Sequence, residues 1–390
     1  MLFLAVSAGV SLALYLRSRS SPPSPGVRIG VLSAASIASK NASAITASGN
    51  TVAAIGSRSL AKAAAWAARH APGAAAYGSY EDLLHDSTLD ALYIPLPCAL
   101  HAEWVIVAAA TGRGVLVEKP AARSLGELEA MVQACAHASV PFLDGCMFFF
   151  HERLPLMKTA LTAPSFGAPV RVSTAFSFCG DAAFQAGNIR MDPELEPLGC
   201  LGDLGLYCIY FGLWAYNFEL PVSVTAHAHS RNAQGVPQDT SCLFLFPPAP
   251  GQAAPRTLHM DNSFVQVFRQ WAEVSSQAAV LRLEDFVIAD SHAQCQFVVT
   301  QNPGLDASHC SVVHEARTVT VVKGCNQEKE MWTAFAAAVR EKRFVPEWAE
   351  RAVKVQACLD AAFESMRLDG ARVLIPRPGI LNTAPFVVSA

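Results

Sequence analysis

The chain has 390 residues, more than one ordinary hydrophobic core takes up, so two folding units are expected. A hydrophobic fraction of 52% and a charged fraction of 16% describe a globular protein with large buried surfaces, while a net charge of -3 and no clustered Lys/Arg stripe argue against nucleic acid as a partner. The 11 cysteines show neither a Cys-x-x-Cys pair nor regular spacing, which points away from a metal site or a disulfide framework and toward a reduced, intracellular protein.

Leu2 to Leu16 is an almost unbroken apolar run closed by Arg17 and Arg19 and then by the Ser/Pro stretch Ser20 to Pro25. At about 15 residues it is short for a bilayer span, which takes roughly 20, and no basic residue precedes it. A signal peptide, an organelle presequence and a membrane anchor are all readings it allows; as an anchor, its trailing arginines would keep the rest of the chain in the cytosol. Residues 1–26 are therefore set apart as a targeting or anchor segment with its linker, and membrane attachment through residues 2–16 is one expectation.

From Val27 strands and helices alternate. Val27–Leu32 reads as a strand, Ser33 to Ala38 as a turn of small residues, and Ile37–Ser48 as a helix. Thr51–Ile55 and Leu60–His70 repeat the pattern, as do Leu89–Ile94 with Leu100–Ala110, and Gly114–Val117 with Ser124–Ala138, before Pro141–Asp144. Strands separated by helices of ten or more residues imply right-handed βαβ units, hence an α/β Rossmann domain with a doubly wound parallel sheet over residues 27–147. Beyond it, short alternating runs such as Pro169–Phe178, Val222–His229, Cys242–Phe246 and Thr257–Phe264, with helices at Cys200–Tyr216, Gln327–Lys342 and Glu347–Arg367, read as an α+β domain over residues 148–390. Pro247 to Gly251 reads as a hairpin insertion.

A nucleotide site in such a fold uses the turn after the first strand, where backbone N–H groups at a helix start reach a pyrophosphate. Ser33-x-Ala35-x-x-Ala38 stands where a glycine-rich fingerprint would be, so Ser33, Ala35, Ser36 and Ile37 are candidate cofactor contacts, with Cβ atoms as the risk at the first two positions. The second strand ends at Ser57-Arg58, where an acidic residue would bind ribose hydroxyls. A hydroxyl and a guanidinium there suit a 2′-phosphate, so NADP is expected rather than NAD. The alternatives are a merely structural turn and a solvated arginine.

Lys119 follows the strand Gly114–Val117 in Glu118-Lys119-Pro120, at the strand end where ligands sit in open α/β sheets. Asp203 and Tyr207, four apart, share a helical face. Hydride chemistry at a hydroxyl requires an acid/base, and Tyr207 suits it if Lys119 pulls its pKa down, with Asp203 binding a substrate hydroxyl. The plain alternative is a helix-start aspartate and a core tyrosine.

These stretches together resemble the Gfo/Idh/MocA oxidoreductase family. The resemblance runs through nearly the whole chain from Val27, on Arg28-Ile29-Gly30-Val31-Leu32, Gly56-Ser57-Arg58-Ser59, Asp90 to Pro97 with Leu100-His101, Glu118-Lys119-Pro120, and Gly199 to Tyr207. Within it the chain looks most like the branch of dimeric trans-dihydrodiol dehydrogenase, NADP-linked D-xylose dehydrogenase and uncharacterised plant oxidoreductases. The resemblance implies a Rossmann domain followed by an α+β domain with a large, open-faced, mostly antiparallel sheet, commonly buried in a homodimer. It implies Lys119 as a contact to cofactor and substrate beside Glu118, Tyr207 where most members carry histidine, and Pro95, Leu96, Pro97 and His101 along the cofactor. Phe148 would close the substrate pocket, with Arg153, Asn188 and Arg190 as further substrate candidates. The expected function is NADP-dependent hydride transfer between nicotinamide and a sugar, polyol or cyclic diol as small-molecule substrate; the alternative is a protein of the same fold that binds NADP(H) as a sensor.

Overall fold

The computed structural model describes residues 26–379 apart from 250, 290–293, 307 and 309, so the run from Leu2 to Leu16 and residue Pro250 lie outside the described residues. The first part alternates β1 (Arg28–Leu32), α1 (Ser36–Ala47), β2 (Thr51–Gly56), α2 (Leu60–His70), β3 (Ala75–Tyr77), α3 (Tyr80–Leu84), β4 (Ala91–Ile94), α4 (His101–Ala110), β5 (Gly114–Val117), α5 (Leu125–His137) and β6 (Phe142–Asp144). The six strands pair in parallel in the order β3-β2-β1-β4-β5-β6. Every residue of β4 and β5 is buried, as parallel strands covered on both faces require. The order reverses between β1 and β4, which opens a crevice at their carboxyl ends. Ser59, Ser79 and Ser124 each accept a backbone N–H as N-caps of α2, α3 and α5.

The second part contains α6 (Arg153–Thr162), β7 (Arg171–Cys179), α7 (Ala182–Gly187), and a π-helical turn (Leu201–Gly205) that runs into α8 (Leu206–Ala215). It continues with β8 (Ser223–Arg231), β9 (Pro237–Pro248), β10 (Pro255–Ser263), β11 (Val265–Ser275), β12 (Ala279–Leu283) and β13 (Gln294–Gln301). A small hairpin, β14 (Gly304–Asp306) and β15 (Ser311–Val313), precedes β16 (Ala316–Lys323), α9 (Gln327–Arg340), α10 (Pro346–Arg367) and β17 (Val373–Leu374). Nine strands form one sheet, β16-β13-β12-β11-β7-β10-β9-β8-β17, in which β7 and β10 are parallel and the other neighbours antiparallel. Along β9, Cys242, Phe244 and Phe246 are buried and alternate with half-buried Ser241, Leu243 and Leu245. The buried face packs against α8 and α10 in one core; among the described residues no helix covers the other. Among the described residues no helix is long and apolar enough to cross a membrane.

Two features depart from the sequence-based expectation. The predicted helix Cys200–Tyr216 begins as a wider π-helical turn, which carries Asp203, and β3, α3, α6, α7 and β11 were not anticipated because each is short or lacks clean alternation. The packing also ignores a contiguous division at residue 147: Met331, Trp332, Phe335 and Ala336 of α9 complete the core on one face of the parallel sheet, and Ala349, Ala352 and Val353 of α10 join the core on the other. The chain therefore returns to its first sheet after building the second.

Gly199 (φ +50) sits just before the π-helical turn, and a Cβ there would run into the Pro237 carbonyl oxygen. Gly199→Ala combines a left-handed backbone with a backbone clash, and its expected cost is on the order of 2 kcal/mol, read from urea unfolding midpoints. An unchanged midpoint would show that this close approach is not needed.

Candidate functional site

A crevice of about 860 Å³ opens where the parallel sheet reverses its order, and its opposite wall comes from β7, the π-helical turn and the segment around Arg190. The turn after β1 forms one end. Ser33 there has φ 126°, a left-handed conformation that glycine adopts freely, so the backbone takes the glycine course despite the serine side chain, at a cost of about 1–3 kcal/mol. Ala35, the N-cap of α1, offers no side-chain acceptor, and the first turn of α1 holds no acidic residue. The first turn of α1 thus supplies no anionic partner for its own positive end, and Ser33, Ala35, Ser36 and Ile37 line the crevice. This cradle suits a pyrophosphate, and exposed Arg58 lines the same end.

Other expected cofactor contacts divide. Pro95, Leu96 and Pro97 line the crevice, whereas Ser57 is buried, with its hydroxyl accepting the Ser59 N–H at 3.4 Å, and does not line it. His101 is also buried: its ring nitrogens meet the carbonyls of Leu96 at 2.8 Å and Ala121 at 3.1 Å. Its role is to fasten the Pro95–Pro97 loop to the chain beyond Lys119, one step away from any ligand. Burial lowers its pKa, and the hydrogen bonds to the Leu96 and Ala121 carbonyls oppose that shift.

Lys119, Asp203 and Tyr207 come together. Lys119 Nζ donates to Asp203 Oδ1 at 2.6 Å and to its main-chain carbonyl at 3.0 Å, and Arg190 Nε lies 2.8 Å from the same Oδ1. Burial pushes the Asp203 carboxyl up, but the charges of Lys119 and Arg190 outweigh it and hold the group at about 2. Lys119 Nζ stands 5.1 Å from the centroid of the Tyr207 ring, over its face. The expected lowering of the Tyr207 pKa does not occur: burial, then the charges of Cys146, Glu118 and Asp203, push it well above its ordinary value. The amine spends its charge on Asp203 and the ring face, so the phenol stays neutral, donating weakly to Met147 Sδ at 3.5 Å.

Glu118 is held from behind by a relay that begins in α9. Trp332 Nε1 donates to Asn41 Oδ1 at 2.7 Å, Asn41 Nδ2 donates to the Tyr93 hydroxyl at 2.8 Å, and that hydroxyl donates to Glu118 Oε1. Burial raises the Glu118 pKa, opposed by the Tyr93 hydrogen bond and by Lys119. Asn41 carried a signal in the sequence, a lone amide on the inner, alanine-rich face of α1; Trp332 carried none, because the partner it serves is 291 positions away.

The remaining substrate candidates are mostly displaced. Phe148 is fully buried among Phe149, Tyr207, Tyr210 and Phe286 and does not close the crevice; Met147, Phe176, Phe178, Ile189 and Phe268 supply the apolar wall instead. Arg153 is buried, with its guanidinium on Asp285 Oδ1 and on the Asp285 carbonyl, both at 2.6 Å. Asn188 caps the short turn that carries Arg190, accepting its N–H at 3.1 Å, and Arg190 alone of these candidates reaches the crevice. Glu196, which no sequence pattern distinguished from Glu194, also lines it. Arg153→Leu leaves Asp285 without its partner, and the expected loss is on the order of 3 kcal/mol of stability in chemical denaturation, with ligand affinity at the crevice unchanged. A shift in affinity without a loss of stability would return Arg153 to the site.

Comparison with known proteins matches residues 27–145 to an oxidoreductase family model with an NAD-binding Rossmann fold and residues 156–289 to the GFO/IDH/MocA C-terminal domain. A D-xylose 1-dehydrogenase (NADP(+)) from Haloferax volcanii is 43% identical over 183 residues, covering 46% of this chain and 54% of that protein. A dTDP-3,4-didehydro-2,6-dideoxy-alpha-D-glucose 3-reductase from Streptomyces violaceoruber is 30% identical over 245 residues, covering 62% of this chain and 69% of that protein. The match thus spans about half the length of several curated relatives. In fold, the chain is similar to a 3-ketoreductase from Actinomadura kijaniata in complex with NADP and TDP-benzene, with a TM-score of 0.76 at 22% identity over 87% of this chain and 98% of that one.

Proposed function

The chain belongs to the GFO/IDH/MocA oxidoreductase family, and from that membership we propose that it is an NADP-dependent oxidoreductase acting on a hydroxyl or carbonyl of a sugar, polyol or cyclic diol. The observation that carries the reading is the Lys119–Asp203–Arg190 cluster against Tyr207, in the crevice that the uncapped start of α1 enters. The dinucleotide, when bound, supplies the hydride acceptor or donor. Ser33, Ala35, Ser36 and Ile37 hold its pyrophosphate at the start of α1, and Arg58 takes the 2′-phosphate that distinguishes NADP from NAD. NADP also appears in the name of the xylose dehydrogenase relative.

In reduction, the neutral Tyr207 gives its proton to the carbonyl oxygen as charge develops there; in oxidation it recovers that proton from the hydroxyl. Lys119, fixed by Asp203, places a positive charge beside the same oxygen. Because burial holds Tyr207 protonated, reductive turnover is expected to keep its kcat from pH 6 to pH 9 and to fall only once the pH passes the raised pKa of the phenol. A kcat already halved below pH 9 would reject Tyr207 as the donor.

Turnover of NADP⁺ with D-xylose and with trans-dihydrodiols tests the reading directly. Lys119→Met and Tyr207→Phe are each expected to lower kcat by roughly 10²- to 10⁴-fold. Robust activity in both variants would remove the assignment. The glycine-free turn favours a second reading, in which NADP(H) is sensed without chemistry; calorimetry showing cofactor binding, with no turnover across these substrates, would select it.

The same proposal includes a homodimer through the helix-free face of the nine-stranded sheet, where Leu243, His259, Trp271 and Val280 are only half-buried. Trp271→Glu is expected to convert a dimer to a monomer in sedimentation analysis. Membrane attachment through residues 2–16 is supported by the apolar sequence alone, with Arg17 and Arg19 closing it.

A further inference from the structure

Asp203 is a committed carboxylate, since its Oδ1 already meets both Lys119 and Arg190. A second carboxylate, Glu196, faces the same crevice with acceptor capacity to spare. Its segment is fixed by the main chain: the Glu196 N–H donates to Asp192 O at 2.9 Å, and the Gly199 N–H donates to Glu196 O at 3.1 Å. Oε1 accepts the Cys98 N–H at 3.0 Å, and the Ala99 N–H donates to Leu195 O at 3.2 Å, so this segment is tied to the loop that carries Pro95 to Pro97. Oε2 makes no hydrogen bond to any described residue, and Glu196 lines the crevice. The ionic groups that face Glu196 are Asp203, Arg190 and Lys119, with the Cys98 thiol behind it. Glu118 lines the same crevice and interacts with Lys119 and Arg190, so two cations there face three carboxyl groups, and a neutral side chain in place of ionised Glu196 removes one negative charge from the cluster.

We propose that Glu196 is a specificity-determining residue: Oε2 accepts a hydrogen bond from a hydroxyl of a neutral polyhydroxylated substrate, and its charge turns away the same carbon skeleton bearing a carboxylate or phosphate. This rests on the oxidoreductase reading and narrows its substrate class. Burial raises the Glu196 carboxyl to about 7; the Cys98 N–H, Arg190 and Lys119 oppose the rise, and Asp203 adds to it. The discrimination is therefore present above that pH and fades below it, as the carboxylate takes up a proton.

Calorimetry on the full chain saturated with NADP⁺ tests this with D-glucose and D-glucuronate, which differ only at C6, for the wild type and Glu196→Gln at pH 8 and pH 6. Glutamine keeps a carbonyl oxygen for the Cys98 N–H, and an unchanged Tm checks that the fold is retained. At pH 8 the variant is expected to bind glucose at least fivefold more weakly and glucuronate more tightly, changing the affinity ratio tenfold or more. The wild-type ratio moves the same way from pH 8 to pH 6, and the variant's does not. A purely structural role would weaken both sugars alike. An unchanged ratio, including no measurable binding of either sugar by either protein, overturns the assignment. If the wild type fails to bind NADP⁺, the oxidoreductase reading falls and takes this one with it, whereas NADP⁺ binding with an unchanged ratio sinks Glu196 alone.

Discussion

Asp203 is a buried carboxylate that takes Lys119 from one side and Arg190 from the other. Removing a carboxylate from water is expensive unless positive charge compensates it, and here two cations do so through a single oxygen. Each member comes from a different part of the chain: Lys119 follows β5 of the parallel sheet, Arg190 sits on a short turn after α7, and Asp203 lies in the π-helical turn. The ion cluster thereby sets the position of the crevice walls and delivers the lysine to the face of Tyr207. Without it, Asp203 would have no compensation for its burial and the wall carrying Tyr207 would lose its anchor to the parallel sheet.

A second set of contacts works on the same crevice from behind. Trp332, Asn41 and Tyr93 pass hydrogen bonds to Glu118, the neighbour of Lys119, so α9 helps to fix the end of β5 although eight strands of the nine-stranded sheet precede it in sequence. His101 fastens the loop Pro95–Pro97 in a similar way, and Arg153 fastens α6 to the chain at Asp285. These side chains are polar and buried, and their hydrogen bonds go to neighbouring protein groups, which makes them supports for the crevice walls. Their chemistry resembles that of ligand-binding residues, and only their partners distinguish the two roles.

Much of the architecture was legible in the chain. Strands with continuous apolar runs, separated by helices of sufficient length, leave few topologies once right-handed crossovers are required, and the parallel order β3-β2-β1-β4-β5-β6 follows. The boundaries of α2 match the expectation residue for residue because a serine cap and a clear apolar periodicity mark them. The short elements hold too few residues to show a period, and the first residues of β11 break register against β7. Lys119, Asp203 and Tyr207 were also legible, since the end of a parallel strand and a four-residue helical spacing each restrict where a side chain can point.

Local pattern by itself therefore determined the Rossmann half, the mixed second half, and three side chains able to meet in one crevice. Only the tertiary structure decided which candidate residues face that crevice and which do not: Ser57, His101, Phe148, Arg153 and Asn188 turned away, while Arg190 and Glu196 turned toward it. It also decided that Tyr207 is neutral, because its pKa depends on how deeply the ring is buried and on where Lys119 spends its charge. Desolvation and Coulomb terms are set by distances between groups far apart along the chain, and spacing within a strand or helix carries no information about those distances.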